Sequence, residues 1–307
     1  MNLSIETDKQ SYELGERIDI YGNLTLDYTP VTSGLIAFQI KDPKGLLNGT
    51  VFRTVNIGDN VSIGSGIEIV SLFLCDVKGV QIPSMSISQM LRINATLKNT
   101  SVAPRNVLLF VSVHLPDNFL FLTYILYNDT LAPGMRWSAN YQLDYLPSTA
   151  IGVCSMYGSA LSGLPENGGF PLCMGKNSTF LVTGSSMTAS LGSIPELPTT
   201  SSTSMFSLSY YTNGKGGWLG NYTIYASSYY PPWLSTDQAT IMTKLSRDLN
   251  GDNFVNMLDM YLVAIHYGQN PSHPNWDPRA DVDKNDIVNM FDLYLVAIDY
   301  GKWGKVP

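Results

Sequence analysis

The chain has few charged residues, few histidines and few cysteines, and each shortage argues against a class of function. Charged residues make up 14% of the 307 residues and the net charge is −7, so no basic face is available to bind nucleic acid. The three histidines, His114, His266 and His273, lie in unrelated stretches, which argues against a histidine-based metal or catalytic cluster. No P-loop, dinucleotide fingerprint, nucleophile elbow or HExxH motif occurs, and we expect that the protein is not an enzyme.

Cysteine is too rare for a disulfide-rich scaffold or a zinc site. The chain has three cysteines, Cys75, Cys154 and Cys173, and no CxxC pair. Outside the cytosol, one disulfide plus one buried thiol is the simplest arrangement of three cysteines.

Asparagine-linked glycosylation motifs indicate an extracellular or cell-surface protein. The nine Asn-x-Ser/Thr motifs exceed the roughly four expected by chance, although a Ser/Thr-rich composition also produces such motifs. No apolar run reaches 18 residues, so we expect no direct membrane insertion. The chain begins directly with a strand pattern, and we expect a secreted form to be a mature one. The motifs begin at Asn2, Asn23, Asn48, Asn60, Asn94, Asn99, Asn128, Asn177 and Asn221.

Residues 1 to about 245 are rich in alternating apolar and polar residues, which is typical of β-strands. Turn residues such as Asp42-Pro43-Lys44-Gly45 separate the short strands. This spacing favours immunoglobulin-like β-sandwiches over alternating strands and helices. Residues 191–204 are rich in Pro, Ser and Thr and are predicted to be a linker or crossover.

Two segments of this region resemble known sandwich families. The pattern from Thr7 to Gly15, followed by the turn at Asp42, resembles the macroglobulin-like sandwich, whose further strands we find only at 205–245. Between them, the stretches Leu91–Ser101, Leu131–Gly134 and Leu146–Gly152 resemble a CARDB-like adhesion module. The resemblance implies a discontinuous first sandwich, 1–63 plus 200–245, with a second sandwich, 66–190, inserted in it. Two sandwiches in succession are the alternative.

The C-terminal region contains an internal repeat. Residues 248–268 and 281–301 are identical at twelve of 21 positions, at an offset of 33 residues. Chance does not produce this level of identity, so the two segments are copies of one structural unit.

Each copy begins with a 12-residue loop that places oxygen donors at the positions used by EF-hand calcium loops. Ca²⁺ prefers six to eight oxygen ligands, and alternating Asp and Asn residues in a tight loop direct theirs inward. The side chains at positions 1, 3, 5, 9 and 12 and the backbone carbonyl at position 7 are the predicted ligands. In loop one they are Asp248, Asn250, Asp252, Phe254 (carbonyl), Asn256 (directly or through water) and Asp259. In loop two they are Asp281, Asp283, Asn285, Ile287 (carbonyl), Asn289 and Asp292.

The loops depart from ordinary EF-hands in ways that resemble dockerins. Position 12 is Asp rather than Glu, position 6 is Asn253 or Asp286 rather than Gly, and one apolar helix follows each loop. The resemblance implies a dockerin-like module at 247–307 that binds two Ca²⁺ and loses its fold without them. Gly268 and Gly301 are the predicted C-cap residues of the helices. The apolar helices are expected to face a cohesin-like domain, a neighbouring subunit or this chain's own sandwiches.

The combination of these three patterns resembles modular surface proteins of uncultured archaea. In those proteins one cysteine precedes an early Asp-rich turn of the inserted sandwich and another lies near its last strand. The resemblance implies a Cys75–Cys173 disulfide, with Cys154–Cys173 as the alternative.

Three functions remain in view. The first is an extracellular calcium-binding structural or adhesive surface protein that assembles with copies of itself into a filament or array. The second is a dockerin-bearing module that docks onto a separate cohesin-like scaffold. The third is a carbohydrate-binding or carbohydrate-hydrolysing accessory protein. Its candidate sugar-stacking residues are Tyr210, Tyr211, Trp218, Tyr229, Tyr230 and Trp233. We expect the first, with the second as the alternative.

Overall fold

The protein is a mainly β structure that ends in two short helices, which confirms the predicted fold class. The computed structural model describes residues 1–57, 66–116, 118–184, 205–212, 215–230 and 233–307. The predicted linker at 191–204 and the motif at Asn60 lie outside the described residues. No helix in the described ranges is long and apolar enough to cross a membrane.

Among the described residues, eighteen strands precede the two helices along the chain, and one short strand follows them. The strands are β1 (Asn2–Thr7), β2 (Ser11–Glu13), β3 (Arg17–Leu26), β4 (Thr29–Pro30), β5 (Gly34–Lys41), β6 (Val51–Ile57), β7 (Ile67–Leu74), β8 (Ser84–Ser86), β9 (Met90–Asn99), β10 (Arg105–His114), β11 (Leu120–Leu131), β12 (Arg136–Tyr145), β13 (Gly152–Leu161), β14 (Lys176–Thr183), β15 (Met205–Tyr211), β16 (Lys215–Trp218), β17 (Gly220–Tyr230), β18 (Trp233–Lys244) and β19 (Trp303–Lys305). The helices are α1 (Met257–Ile265) and α2 (Met290–Ile298).

Contacts divide the chain into two units. The first contains residues 1–8, 19–210 and 223–240, and the second contains residues 9–18, 211–222 and 241–307. The second unit is therefore larger than the predicted tail of 247–307, because it also includes two short segments from the β-rich region.

In the first unit, strands from both ends of the β-rich region pair with one another. Strand β3 lies between β1 and β15, and β5 lies between β6 and β17. The antiparallel register of β17 and β5 runs from Thr223 opposite Lys41 to Ser228 opposite Ile36. Strand pairing on this side of the unit is therefore discontinuous in sequence.

The strands between residues 67 and 183 form two further sheets of the first unit. One sheet has the order β12-β9-β7 and the other β11-β10-β13-β14-β8. Apolar residues at alternate positions of the strands pack between them, as Leu91, Ile93 and Leu97 of β9 show by their complete burial. Period-two alternation thus gives each strand one buried face, as a sandwich requires.

Strand β5 is buried along almost its whole length, because one face packs against β15 and the other against the sheet that contains β10 and β13. Its residues Ala37 and Phe38 are both fully buried although they point to opposite faces. Ala37 belongs to a cluster with Phe52, Phe110 and Leu161, which come from both sandwiches. The rings of Phe52 and Phe110 stack with centroids 3.8 Å apart.

A buried histidine lies at the same contact. Nη2 of Arg53 is 2.6 Å from Nε2 of His114, and Nδ1 of His114 is 3.0 Å from the carbonyl oxygen of Asn118. The carbonyl can only accept, so Nδ1 carries the proton and Nε2 accepts from Arg53. Burial, together with the charge of Arg53, lowers the pKa of His114 to about 3.

The predicted disulfides are wrong in this structure, in which all three cysteines are free. Cys75 follows the last residue of β7, whereas Cys173 contacts the backbone of Ile69 near the start of that strand. Six residues of strand separate the two points by roughly 20 Å. A disulfide requires Cα atoms within about 7 Å of each other.

The alternative pair is separated in the same way. Cys154 lies near the start of β13, and its thiol donates to the carbonyl oxygen of Ala150. The residue before Cys173, Leu172, donates its backbone N–H to Ala160 at the far end of β13. Cys173 follows Leu172 toward Tyr157, whose pKa it influences, so about three to five strand residues, or roughly 10 to 16 Å, separate the two cysteines.

We predict that all three thiols are alkylated by iodoacetamide in denaturant without a reductant, and that the native protein reacts slowly. The native protection follows from burial, which raises the pKa of Cys154 and of Cys173 to about 12 and so removes the reactive thiolate. Intact mass measurement counts the adducts. A single adduct in denaturant would show that a disulfide exists.

We predict that acid destabilises the protein through His114. The pKa is about 6.5 in the unfolded chain and about 3 in the folded protein, so the unfolded state binds the extra proton first. The contribution of His114 to the free energy of unfolding is fully present above about pH 6.5, and about 4 kcal/mol of it is lost as the pH falls to 3.5. Urea unfolding measures this loss.

His114→Gln is the matched control for this prediction. The Gln amide oxygen accepts from Arg53 without titrating, so the variant is expected to lose less stability than the wild type between pH 7.5 and pH 3.5. Equal losses in the two proteins would contradict the assigned role of His114.

Candidate metal centre

Each helix of the tail begins at the end of a calcium-type loop, and a pair of side chains marks this start. Oδ1 of Asn256 accepts from the backbone N–H of Leu258 at 2.7 Å, and Oδ2 of Asp259 accepts from that of Asn256 at 2.8 Å. Asn289 and Asp292 make the same two hydrogen bonds at the start of α2. These pairs are capping boxes, which satisfy backbone donors that the first helical turn leaves free.

In loop one, two carboxylates gather the backbone around the centre. Asp248 accepts from the backbone N–H groups of Gly251 at 2.8 Å and of Asn253 at 2.7 Å. The second oxygen of the other carboxylate, Oδ1 of Asp259, accepts from the N–H of Leu249 at 2.7 Å. These hydrogen bonds hold the first and last carboxylates of the loop against its backbone, so the loop closes around its centre.

Loop two repeats this geometry and brings three carboxylates together. Asp281 accepts from the N–H of Asp286 at 2.9 Å, and Asp292 accepts from that of Val282 at 2.7 Å. Carboxylate oxygens of Asp281, Asp283 and Asp292 all lie within 4.8 Å of one another. In loop one the position equivalent to Asp283 is the neutral Asn250.

Position 6 of each loop adopts the left-handed backbone conformation that glycine occupies in ordinary EF-hands. The φ angles are 68° at Asn253 and 66° at Asp286. Asn and Asp tolerate this conformation better than other residues with a Cβ, so the departure from glycine does not prevent the loop from closing.

The electrostatics of the loops favour a bound cation. Burial raises the pKa of Asp248, and the charge of Asp259 contributes to the same rise. The pKa of Asp283 is raised by desolvation and also by the charges of Asp292 and Asp281. Hydrogen bonds from Asn250 lower the pKa of Asp252. A divalent cation offsets the repulsion among these groups, and the hard oxygen donors suit Ca²⁺.

The structure refines the role of the two position 9 ligands. Oδ1 of Asn256 and of Asn289 accepts one capping hydrogen bond, which leaves one lone pair of each oxygen for a ligand. The amide Nδ2 of Asn289 donates to the carbonyl oxygen of Ile287 at 3.2 Å. Ligation by position 9, directly or through water as ordinary EF-hands allow, stays a prediction. The Asn-x-x-Asp spacing was the sequence signal for this capping role.

The two copies of the repeat pair through short backbone contacts at position 8. The N–H of Val288 donates to the carbonyl of Gln269 at 2.9 Å, and its carbonyl accepts from the N–H of Gly268 at 2.8 Å. In the same way, Val255 donates to Lys302 and accepts from Gly301. The side chains of Val255, Val288, Val263 and Val296 form the buried core of the tail. Each loop is therefore joined to the residues that follow the other helix.

The predicted C-cap glycines lie beyond the caps. The helices end at Ile265 and Ile298, with His266 and Asp299 in the C-cap positions. Gly268 and Gly301 follow two residues later with φ angles of 79° and 84°. They reverse the chain toward the position 8 contacts, so the prediction that they are the C-cap residues was wrong by two positions.

Both helices expose large apolar side chains at equivalent positions of the repeat. Half or more of each of these residues is exposed: Met257, Leu258, Tyr261, Ile265, Met290, Phe291, Tyr294 and Ile298. We call the four residues on each helix its apolar face. Monomeric proteins rarely leave such patches uncovered.

The glycosylation motifs differ in accessibility. Asn2, Asn23, Asn128 and Asn221 are exposed, and Asn94 and Asn177 are partly exposed. Asn99 is fully buried, and its Nδ2 donates to the carbonyl oxygens of Ala103 and Leu131. The fold leaves no room for a glycan on Asn99. For Asn48 the structure describes the backbone only. Modification of the accessible motifs stays a prediction.

One family matches part of the chain by sequence. The model of the family "Dockerin type I domain" matches residues 246–298, which include both loops and both helices. No curated protein matches the chain.

Solved structures resemble the chain only weakly. The C-terminal domain of wzt is 14% identical and has a TM-score of 0.33, and the match covers 40% of this chain and 75% of that domain. The alkylpurine DNA glycosylase AlkC of Pseudomonas fluorescens is 12% identical, with a TM-score of 0.30 and coverage of 39% and 31%. A β-glucuronidase of Bacteroides uniformis is 13% identical, with a TM-score of 0.30 and coverage of 55% and 26%. The chain spans less than a third of these two enzymes, and such scores say nothing about its activity.

We predict that Asp281→Asn lowers the calcium affinity of loop two by at least about tenfold, because it removes one of three charged ligands. Isothermal titration calorimetry of the full chain measures the affinity. Asp286→Asn is the matched control, since it removes the same charge from the same loop at a position whose side chain is not a ligand. Equal affinities for the two variants would contradict the assigned ligand set.

Proposed function

We propose that this protein is an extracellular calcium-dependent docking protein, in which the tail 247–307 holds two Ca²⁺ and binds a cohesin-like domain of another protein. Dockerin type I domains bind calcium and dock onto cohesins. The observation that carries the proposal is the repeated arrangement of an oxygen-lined loop and an exposed apolar helix face, within the residues that match this family.

Calcium has a structural role in this proposal. The tail from Arg247 to Pro307 contains nine Asp, no Glu and five Lys or Arg, a net charge of −4, which two Ca²⁺ would neutralise. Without the ions, the carboxylates that cluster at each loop repel one another, and the small apolar core offers little compensation. The free energy of calcium binding therefore becomes free energy of folding.

The apolar faces supply the docking surface. Their side chains project from helices whose first turns are fixed by the capping boxes, so the loops position the faces directly. A partner with an apolar surface would bury Leu258 and Tyr261 on one face, or Phe291 and Tyr294 on the other. Aromatic and large aliphatic residues are the usual anchors of such interfaces.

Self-association is the second candidate. The supporting observation is that one chain presents two equivalent apolar faces, so a chain can contact two neighbours and extend into a filament or array. In this case the partner of each face is another copy of this chain, and the protein is a structural or adhesive component of a surface layer.

The β-rich region is proposed to act as a non-catalytic surface module of macroglobulin-like and CARDB-like sandwiches. The accessible glycosylation motifs support an extracellular location, in which calcium is available at millimolar concentration. Glycan binding by the region is the third candidate. Two of its aromatic residues already pack against other side chains of the protein: Tyr229 stacks on Phe170, and Lys305 lies over Trp218.

We predict that removing calcium with EDTA unfolds the helices and abolishes docking. Far-UV circular dichroism should report the loss of helix, and biolayer interferometry against a panel of immobilised cohesin domains should report the loss of binding. Sedimentation velocity in calcium distinguishes the two candidates. A monomer that binds a cohesin supports docking, calcium-dependent oligomers support self-association, and a helical tail unchanged by EDTA contradicts both.

We predict that Leu258→Asp combined with Phe291→Asp weakens docking by about thirtyfold or more, for roughly 2 kcal/mol of lost contact. Both residues are in the first turn of a helix, where a carboxylate is favourable, so the fold and calcium binding should persist. Val102→Asp, which changes a residue that is 98% exposed in the β-rich region, is the control. Unchanged docking by the double variant would show that the apolar faces are not the docking surface.

A further inference from the structure

The last strand of the chain joins the tail to a strand of the β-rich region, and both belong to the second unit. Strand β19 runs parallel to β16, with Trp303 opposite Lys215, Gly304 opposite Gly217 and Lys305 opposite Trp218. Beyond the strand, the backbone N–H of Leu219 donates to the carbonyl oxygen of Lys305 at 2.8 Å.

On its other side, β19 contacts loop one. The backbone N–H of Gly304 donates to the carbonyl oxygen of Asn253 at 3.1 Å, and the ring of Trp303 stacks on that of Phe254 with centroids 5.7 Å apart. Asn253 and Phe254 occupy positions 6 and 7 of the loop, and the carbonyl of Phe254 is a predicted calcium ligand. Strand β19 thus lies between a calcium loop and β16.

A second connection lies directly before loop one. The guanidinium of Arg247 is 3.4 Å from Oε1 of Glu13 and 3.7 Å from Oδ2 of Asp299. The backbone N–H of Ser246 also donates to Oε2 of Glu13 at 3.0 Å. The residues before loop one therefore contact Glu13, and the strand that contacts the loop, β19, pairs with β16. Glu13 and β16 both lie outside the tail.

Loop two has no equivalent attachment among the described contacts. Its position 8 residue, Val288, pairs with Gly268 and Gln269, which belong to the tail itself. The residue equivalent to Trp303 at the offset of 33 is Asn270, which directly precedes a turn and is not part of a strand. The two loops therefore have similar backbone geometry, but only loop one contacts a strand that pairs with a segment outside the tail among the described residues.

We propose that loop one is a calcium-controlled joint that fastens the tail to β16, whereas loop two only stabilises the tail. The inference rests on the proposed calcium binding. An ion bound by the carbonyl of Phe254 orders positions 6 to 8 of loop one, and these positions anchor β19. Because the coupling is reciprocal, disrupting β19 must weaken calcium binding by loop one.

Gly304 offers a way to disturb the joint without changing a calcium ligand. A Cβ atom at this position would lie 2.5 Å from Cγ of Leu219, too close for any real side chain. Gly304→Ala is therefore expected to separate β19 from β16, and adding Leu219→Ala removes the clashing atoms and should restore the contact.

Hydrogen exchange of the full chain, measured by mass spectrometry with calcium and with EDTA, tests the joint. The amides of Leu219 and Gly304 should exchange at least about tenfold more slowly in calcium than in EDTA. Asp248→Asn should abolish this protection, whereas the matched variant Asp281→Asn in loop two should retain it. Equal protection at Leu219 with and without calcium, or equal loss in the two variants, would overturn the proposal.

Calorimetry on the same proteins separates this inference from the calcium site itself. Gly304→Ala should weaken the loop-one site about tenfold, with recovery in Gly304→Ala/Leu219→Ala and no change at loop two. If the wild type binds no calcium, the proposed function fails. If it binds two ions but Gly304→Ala leaves both affinities unchanged, only the joint is overturned.

Discussion

Repulsion among closely packed carboxylates is the constraint on which the tail of this protein depends. Loop two holds oxygens of Asp281, Asp283 and Asp292 within 4.8 Å of one another, a spacing that is unfavourable without a cation. Backbone N–H groups offset part of the repulsion by donating to the first and last carboxylates of each loop. The last carboxylate of each loop also belongs to the capping box that starts α1 or α2, so the arrangement that gathers the ligands also positions the apolar faces.

The β-rich region depends on a different interaction, the burial of β5 on both sides. Sandwich strands usually read as an alternation of apolar and polar residues, but β5 is apolar almost throughout because it contacts both sandwiches of the first unit. A charge buried in such a contact requires hydrogen-bond partners. Arg53 donates to the neutral His114 and to the carbonyl oxygen of Phe52.

Local patterns in the sequence predicted the features that depend on local geometry. The spacing of Asp in loop two predicted the three carboxylates that the structure brings together, and strand alternation predicted a mainly β fold. The disulfides were predicted wrongly because a pairing of Cys75 with Cys173 depends on where a distant loop meets β7, which spacing does not reveal. Strand β19 was missed because three residues are too few to show a period, and Trp303 had no evident partner in the sequence.

Native mass spectrometry of the full chain in calcium tests the central claim most directly, because it counts the ions held by each folded protein. The account predicts two Ca²⁺ per chain, one Ca²⁺ in Asp281→Asn, and none after EDTA. A wild-type mass that corresponds to the chain without bound calcium would contradict the account.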